Sequence, residues 1–114
     1  MATRFHLTLP DPTLARGADP ALSFTANGAE AFAMQLETAL RDPAWIARWQ
    51  AQQEDPDDVD PASLVVDPDA VVAGEQRDLK IDLTVTTTLS GNILRHRMGL
   101  LAGRNWQLHN VSAA

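Results

Sequence analysis

The clearest pattern in the chain is an alternation of apolar and polar residues along residues 77–89. The two parities are Leu79, Ile81, Leu83, Val85 and Leu89 against Lys80, Asp82, Thr84, Thr86 and Thr88. A period of two that is rich in Val and Thr is typical of an antiparallel strand with one solvent-facing side. Residues 77–89 therefore predict the main strand of the fold, with Thr87 completing the apolar row.

Two shorter alternations lie near the ends of the chain. The first covers residues 4–9, has Phe5, Leu7 and Leu9 on its apolar side, and stops at Pro10, which lacks an amide hydrogen for a strand ladder. The second covers residues 106–111, with Trp106 and Leu108 on one parity and Gln107, His109 and Val111 on the other. Weaker strand candidates are residues 22–25, 64–66 and 71–73.

Two helices are predicted between the first two strands. Asn27 and Glu30 have the spacing of a capping box, and the residues after them repeat with a helical period. Asp42 and Pro43 then predict the N-cap and the first residue of a second helix. The apolar faces of these helices are Ala29, Phe32, Ala33, Leu36 and Leu40 in the first, and Trp45, Ile46 and Trp49 in the second.

A third helix is predicted between Ser90 as its start and Gly103 as its end. Leu94, Met98 and Leu101 form its inward face.

Six of the seven prolines follow an aspartate. Proline favours extended geometry in the preceding residue, and an extended Asp can cap amides further along the chain. We interpret these pairs as a repeated device that starts turns and helices.

The order of elements predicts an α+β fold. It consists of a mainly antiparallel sheet of three to five strands with two or three helices on one face. The order is compatible with a ferredoxin-like, split βαβ arrangement, and a last strand paired in parallel would require a right-handed crossover. With 114 residues, the chain is expected to form one domain over residues 1–114, with an acidic, flexible connector at 54–69.

Composition excludes several classes of function. The chain has no cysteine, so disulfides, thiolate metal sites and cysteine nucleophiles are absent. Its net charge of −6 argues against a general binder of nucleic acid or anionic membranes. The sequence contains no apolar run of the length that a signal peptide or a membrane span needs. We therefore expect a cytoplasmic protein with no membrane partner and no cofactor.

The acidity is concentrated in one stretch. Residues 54–78 carry nine acidic residues against Arg77 alone, and no acidic residue follows Asp82. An EF-hand loop is excluded because no glycine occupies its sixth position. The stretch is interpreted either as a solvated connector or as a contact surface for a basic protein. The residues of that surface are Glu54, Asp55, Asp57, Asp58 and Asp60.

Two other groups of side chains are candidates for a site. The basic group is Arg95, Arg97, Arg104 and Trp106, since arginine with an aromatic ring can contact phosphates and bases. The alternative for these arginines is simple solvation of the helix. The polar face of the predicted sheet holds His6, Lys80, Asp82 and His109, which permit acid–base chemistry, although a wet sheet face commonly has this composition.

Trp45 and Trp49 lie four residues apart, which suits core packing but also a pair of interface anchors. Three functions thus remain open. The preferred one is a non-catalytic, acidic protein-binding module of the adaptor, inhibitor or secretion-chaperone type, which can also self-associate into a homodimer. The alternatives are a nucleic-acid-associated regulator that uses the third helix, and a small-molecule enzyme or binding protein that uses the His/Asp sheet face.

Overall fold

The computed structural model describes residues 2–114, which contain four strands and three α-helices. In chain order these are β1 (Thr3–Leu9), α1 (Ala29–Arg41), α2 (Pro43–Ala51), β2 (Val71–Arg77), β3 (Lys80–Thr87), α3 (Gly91–Ala102) and β4 (Gln107–Ala113). Short 3₁₀ helices are formed by Pro12–Leu14, Pro56–Asp58 and Pro61–Leu64. The α+β class predicted from the sequence is confirmed.

The sheet has the strand order β2-β3-β1-β4, and every neighbouring pair is antiparallel. Because β3 is antiparallel to both β1 and β2, those two strands are parallel to each other with β3 between them. In the same way β3 and β4 are parallel, with β1 between them. The chain therefore contains two interlocked split βαβ units, which is compatible with a ferredoxin-like arrangement. A direct parallel pairing of the last strand does not form, because β4 pairs antiparallel with β1.

One face of the sheet packs against the helices. Phe5, Leu7 and Leu9 of β1 are buried on this side. A side chain at Gly74 of β2 would clash with the Ala29 carbonyl of α1, so α1 lies directly against the sheet. Gly91, at the start of α3, lies beside the Phe5 ring of the same face. The opposite face carries mostly polar residues and is called the open face below.

The predicted long strand over residues 77–89 is divided by a hairpin. Arg77 pairs with Lys80, which leaves Asp78 and Leu79 as the turn between β2 and β3. Asp78 has a φ of 56°, a left-handed value that Asp tolerates better than most residues. Leu79 is 85% exposed at the tip, so its place in the apolar row was wrong. The two-residue loop reverses the parity of the inward residues, because Val72 of β2 pairs with Val85 of β3 and Gln76 pairs with Ile81.

Strand β4 contains a bulge that reverses its parity. Leu108 pairs with Leu7, whereas Asn110 pairs with His6, so His109 is an additional residue on β4. Beyond the bulge, Val111 pairs with Phe5 and lies on the same side of the sheet as Leu108. The prediction that Val111 belongs to the polar parity was therefore wrong, because period-two counting fails across an inserted residue.

The caps of α2 and α3 are confirmed. The Asp42 carboxylate accepts a hydrogen bond from the Ala44 amide at 2.8 Å. The Ser90 hydroxyl accepts one from the Ile93 amide at 3.3 Å. Gly103 ends α3 with a φ of +64°, which glycine adopts without steric strain. The predicted capping box of α1 was wrong, since Gly28 is its N-cap and no side chain caps this end.

Of the weaker strand candidates, only residues 71–73 form a strand, as the start of β2. Residues 22–25 form no strand, and the Phe24 amide donates to the Leu101 carbonyl at 2.9 Å at the end of α3. Residues 64–66 follow the last 3₁₀ helix and also form no strand. Leu22 and Phe24 are buried in the core, and Leu64 and Val66 pack partly against it, which local sequence does not distinguish from strand pairing.

The Asp-Pro pairs act as the sequence suggested. In five of the six, the Asp side chain accepts a hydrogen bond from the amide two residues later, at 2.8–3.1 Å. The acceptors are Asp11, Asp19, Asp42, Asp60 and Asp67. Asp55 is the exception, because its side chain makes no such bond at the start of its 3₁₀ helix. This repeated bond fixes the entry into turns along an otherwise irregular chain.

Asp67 has a second role because its carboxylate is buried. One oxygen accepts from the Thr87 hydroxyl at 2.8 Å and from the Thr88 amide at 3.0 Å, and the other accepts from the Asp69 amide. Burial by itself raises the pKa of Asp67, but these hydrogen bonds outweigh it and lower the pKa below its ordinary value of 3.8. The ionised carboxylate therefore ties the end of the connector to the end of β3.

We predict that Asp67→Asn destabilises the protein by about 2 kcal/mol at pH 7, because an amide has only one acceptor oxygen and its NH₂ group would face a donor, either the Asp69 amide or the Thr87 and Thr88 groups. Since the folded pKa lies below the unfolded one, this stabilisation is present above about pH 4 and is lost as pH falls through the folded pKa. Urea unfolding of both proteins between pH 7 and pH 2.5 measures it. Asp69→Asn, at an exposed neighbour, is the control, and a difference that stays constant with pH would contradict the assignment.

Candidate functional site

The acidic segment, defined here as residues 54–60, lies at the surface. All five of its carboxylates are exposed: Glu54, Asp55, Asp57, Asp58 and Asp60. Within residues 2–114 the ion pairs are Arg41–Glu37 at 3.6 Å and Arg77–Asp82 at 3.0 Å, and neither involves this segment. Its negative charge is therefore not neutralised by the described part of the protein.

The connector over residues 54–69 is attached to two helices by side-chain hydrogen bonds. The Gln50 amide group donates to the Pro56 carbonyl at 3.0 Å, from α2. The Arg97 guanidinium donates to the Ser63 and Val65 carbonyls at 3.0 and 2.7 Å, from α3. Residues 57–60 of the acidic segment thus lie between the two anchor points, which limits the positions they can take relative to the helices.

Arg97 is fully buried. The basic site predicted from the sequence would need this side chain at the surface. Its guanidinium also donates to the Ala39 carbonyl of α1 at 3.3 Å, and its Nε atom has no partner. Burial lowers the pKa of Arg97 to about 10, so the side chain remains charged at neutral pH. A buried guanidinium cannot contact a phosphate at the surface. The signal was present in the spacing, because position 97 lies on the same helical face as Leu94 and Leu101.

The other three members of the basic group, unlike Arg97, are at least partly exposed. Arg95 and Arg104 are exposed, and Trp106 is half-buried. The Trp106 indole donates to the Gly103 carbonyl at 3.1 Å, which closes the end of α3. The indole thus makes a structural bond at a helix terminus. Because Arg97 is buried, the surface charge of the group comes from Arg95 and Arg104.

The two tryptophans of α2 differ in exposure. Trp45 is buried in the core, so it is not available as an exposed interface anchor. Trp49 is half-buried and makes an edge-to-face contact with His96, with ring centres 4.6 Å apart. Burial and the neighbouring charge of Arg97 lower the pKa of His96, which keeps its imidazole neutral at neutral pH. Both rings serve the packing of α2 on α3.

The open face of the sheet holds a depression of about 410 Å³, lined by polar side chains of three strands and by the bulge of β4. His6 and His109 both line it, as the sequence pattern suggested, together with Asp82. The Asp82 carboxylate is already engaged, because it accepts from the Thr8 hydroxyl at 2.7 Å and pairs with Arg77 at 3.0 Å. Lys80 is not among the lining residues. The two imidazoles and the exposed Glu75 carboxylate, which also lines the depression, are therefore groups that remain available for a ligand.

Residues 2–114 contain no group of three or more His, Asp or Glu side chains placed to hold a metal ion. None of the helices in this described part has the length and apolarity to cross a membrane. Comparisons with protein-family models, with curated proteins and with solved structures found no significant match to the chain.

We predict that Arg97→Lys destabilises the protein by about 3 kcal/mol, because a single ammonium cannot reach three carbonyls and leaves buried acceptors unpaired. Arg95→Lys, on the exposed side of the same helix, is the matched control and should change the free energy of unfolding by less than about 0.5 kcal/mol. Urea denaturation at pH 7 measures both. Equal effects of the two substitutions would show that Arg97 does not hold the connector.

Proposed function

We propose that this protein is a non-catalytic protein-binding module, of the adaptor, inhibitor or secretion-chaperone type, whose acidic segment contacts a basic region of another protein. The observation that supports this proposal is the set of five exposed carboxylates with no cationic partner in the described chain. A surface of one sign attracts a partner of the opposite sign and increases its association rate.

The attachment of the connector supports the same proposal. Ordering a flexible loop on binding costs conformational entropy, which lowers the affinity. Gln50 already holds the chain at Pro56, within the acidic segment, and Arg97 holds it at Ser63 and Val65, after the segment, so the free protein has already lost part of that conformational entropy. A held anionic segment therefore binds a basic partner more tightly than a mobile one of the same composition.

The test compares two variants that each lose four negative charges from a net charge of −6. The first changes the acidic segment: Asp55→Asn, Asp57→Asn, Asp58→Asn and Asp60→Asn. The control changes exposed carboxylates elsewhere: Glu30→Gln, Asp69→Asn, Glu75→Gln and Asp78→Asn. Wild type and both variants are immobilised, and proteins captured from an extract of the native cells are quantified by mass spectrometry.

We expect wild type and the control variant to capture a basic protein that the first variant does not. Capture should weaken between about 0.1 M and 1 M salt, because the screening length falls from about 10 Å to about 3 Å. Equal recovery by both variants would contradict a role for the acidic segment. If both lose the captured protein equally, net charge is the cause, and if both keep it, neither set of carboxylates is needed.

A second candidate function is binding of a small molecule on the open face. The observation that favours it is the common depression lined by His6 and His109, which lie on different strands. Two imidazoles can bind an anionic group when protonated and can transfer protons near neutral pH. This candidate is independent of the acidic segment.

Nuclear magnetic resonance of the histidine rings tests this second candidate. A set of small carboxylates and phosphate esters is titrated into labelled protein, and we expect a ligand to shift the His6 and His109 signals together. His96 serves as an internal control, because it packs against Trp49 on the helical side. If no compound moves His6 and His109 without moving His96, the open face is not a ligand site of this kind.

A further inference from the structure

A groove of about 590 Å³ lies between the connector and the start of α3. Asp60, Ser63 and Val65 line it from the connector, and Ser90, Asn92 and Ile93 line it from the first turn of α3 and its cap. Leu89, which is largely buried, lies between the two walls. The groove begins at the last carboxylate of the acidic segment, so an acidic surface and an apolar cleft are continuous.

Hydrogen bonds hold each wall of the groove in place. The Ser63 and Val65 carbonyls both accept from Arg97, which turns this part of the backbone toward α3. On the other side, the Ser90 hydroxyl accepts from the Ile93 amide and sets the first turn of the helix. The groove is therefore present before any partner binds, and it does not depend on an ordering step.

Val65 gives the groove its apolar character. Its side chain is 43% exposed although its carbonyl faces Arg97. Ala62 and Ile93 add apolar surface beside it. An exposed valine within a concave surface gains more from contact with a partner than one on a flat surface, because more of its area is removed from water.

The charge of the groove identifies the occupant that fits it. Asp60 lies at its edge, and the lining residues include no Lys or Arg. A second copy of the chain, docked groove to groove, would bring two acidic segments together and would be repelled. An anionic ligand is disfavoured by the same carboxylates. The complementary occupant has an apolar side chain next to positive charge.

We infer that the groove binds a peptide segment of the partner in which an apolar anchor is flanked by lysine or arginine. The anchor lies against Val65 and Ile93, and the basic residues contact Asp60 and the rest of the acidic segment. This inference rests on the proposed function, because it specifies the partner of the same surface. It adds a requirement that charge alone does not impose, namely an apolar side chain at one position.

Fluorescent peptides of about nine residues test the requirement. Each carries a tract of four lysines and one adjacent test position, placed before or after the tract, that is Leu, Phe or Ser. We expect the best apolar peptide to bind wild type about tenfold more tightly than its Ser counterpart, as measured by fluorescence anisotropy, because burial of one such side chain contributes on this scale. Val65→Ser should abolish this preference and leave the Ser peptide unaffected.

Val71→Ser is the matched control, since Val71 is 53% exposed on β2 and lies outside the groove. It should retain the full preference for the apolar peptide. Amide spectra provide an independent readout: residues 57–60 should shift with every basic peptide, whereas Val65, Ser90 and Ile93 should shift only with the apolar ones. The amide spectra also show directly whether each variant is folded. If Val65→Ser does not fold, Val65→Thr, which has nearly the same shape as valine, replaces it.

The outcomes separate the two proposals. If apolar and Ser peptides bind wild type equally, and the acidic-segment variant loses both, the groove inference is overturned and the proposed function stands. If no peptide binds at about millimolar concentration, which corresponds to about −4 kcal/mol, both are overturned. Inorganic phosphate that shifts Ser90 and Asn92, or a dimer in sedimentation that Val65→Ser dissociates, would assign the groove to an anion or to a second copy and overturn the inference.

Discussion

The buried guanidinium of Arg97 is the interaction on which the arrangement of the connector depends. It reaches one carbonyl at the end of α1 and two carbonyls of the connector, and no carboxylate pairs with it in the described chain. Removing a charged group from water is costly, and hydrogen bonds to a charged donor offset part of that cost. The lowered pKa of Arg97 reflects the remaining desolvation. What the fold gains is a fixed position for a segment that forms no strand and no α-helix.

The buried carboxylate of Asp67 holds the other end of the connector. Asp67 bonds Thr87 and Thr88 where β3 ends, and Thr88 itself lines the groove. Arg97 and Asp67 do not form an ion pair with each other, and each is satisfied mainly by backbone or hydroxyl groups instead. Two separate anchors therefore hold the connector against α3 and β3, and the groove is the space left between these three elements.

This arrangement divides the surface into regions with different chemistry. The helical side carries the acidic segment and the apolar groove, and the open face of the sheet carries the two imidazoles with the Asp82 network. A partner that covers the first region leaves the second accessible, because the sheet separates them. The two candidate functions therefore involve different residues.

The sequence alone determined the α+β class, the start of α2, the limits of α3, the capping role of five Asp-Pro pairs and the location of the negative charge. These features depend on neighbours within about four residues, where periodicity and capping rules apply. Only the tertiary structure decided which carbonyls Arg97 binds, that Val111 returns to the apolar side after a bulge, and that Val65 and Ile93 share a groove. Each of these depends on contacts between segments distant in the chain, such as Arg97 with Val65, and a local pattern carries no information about which distant segment will supply the partner.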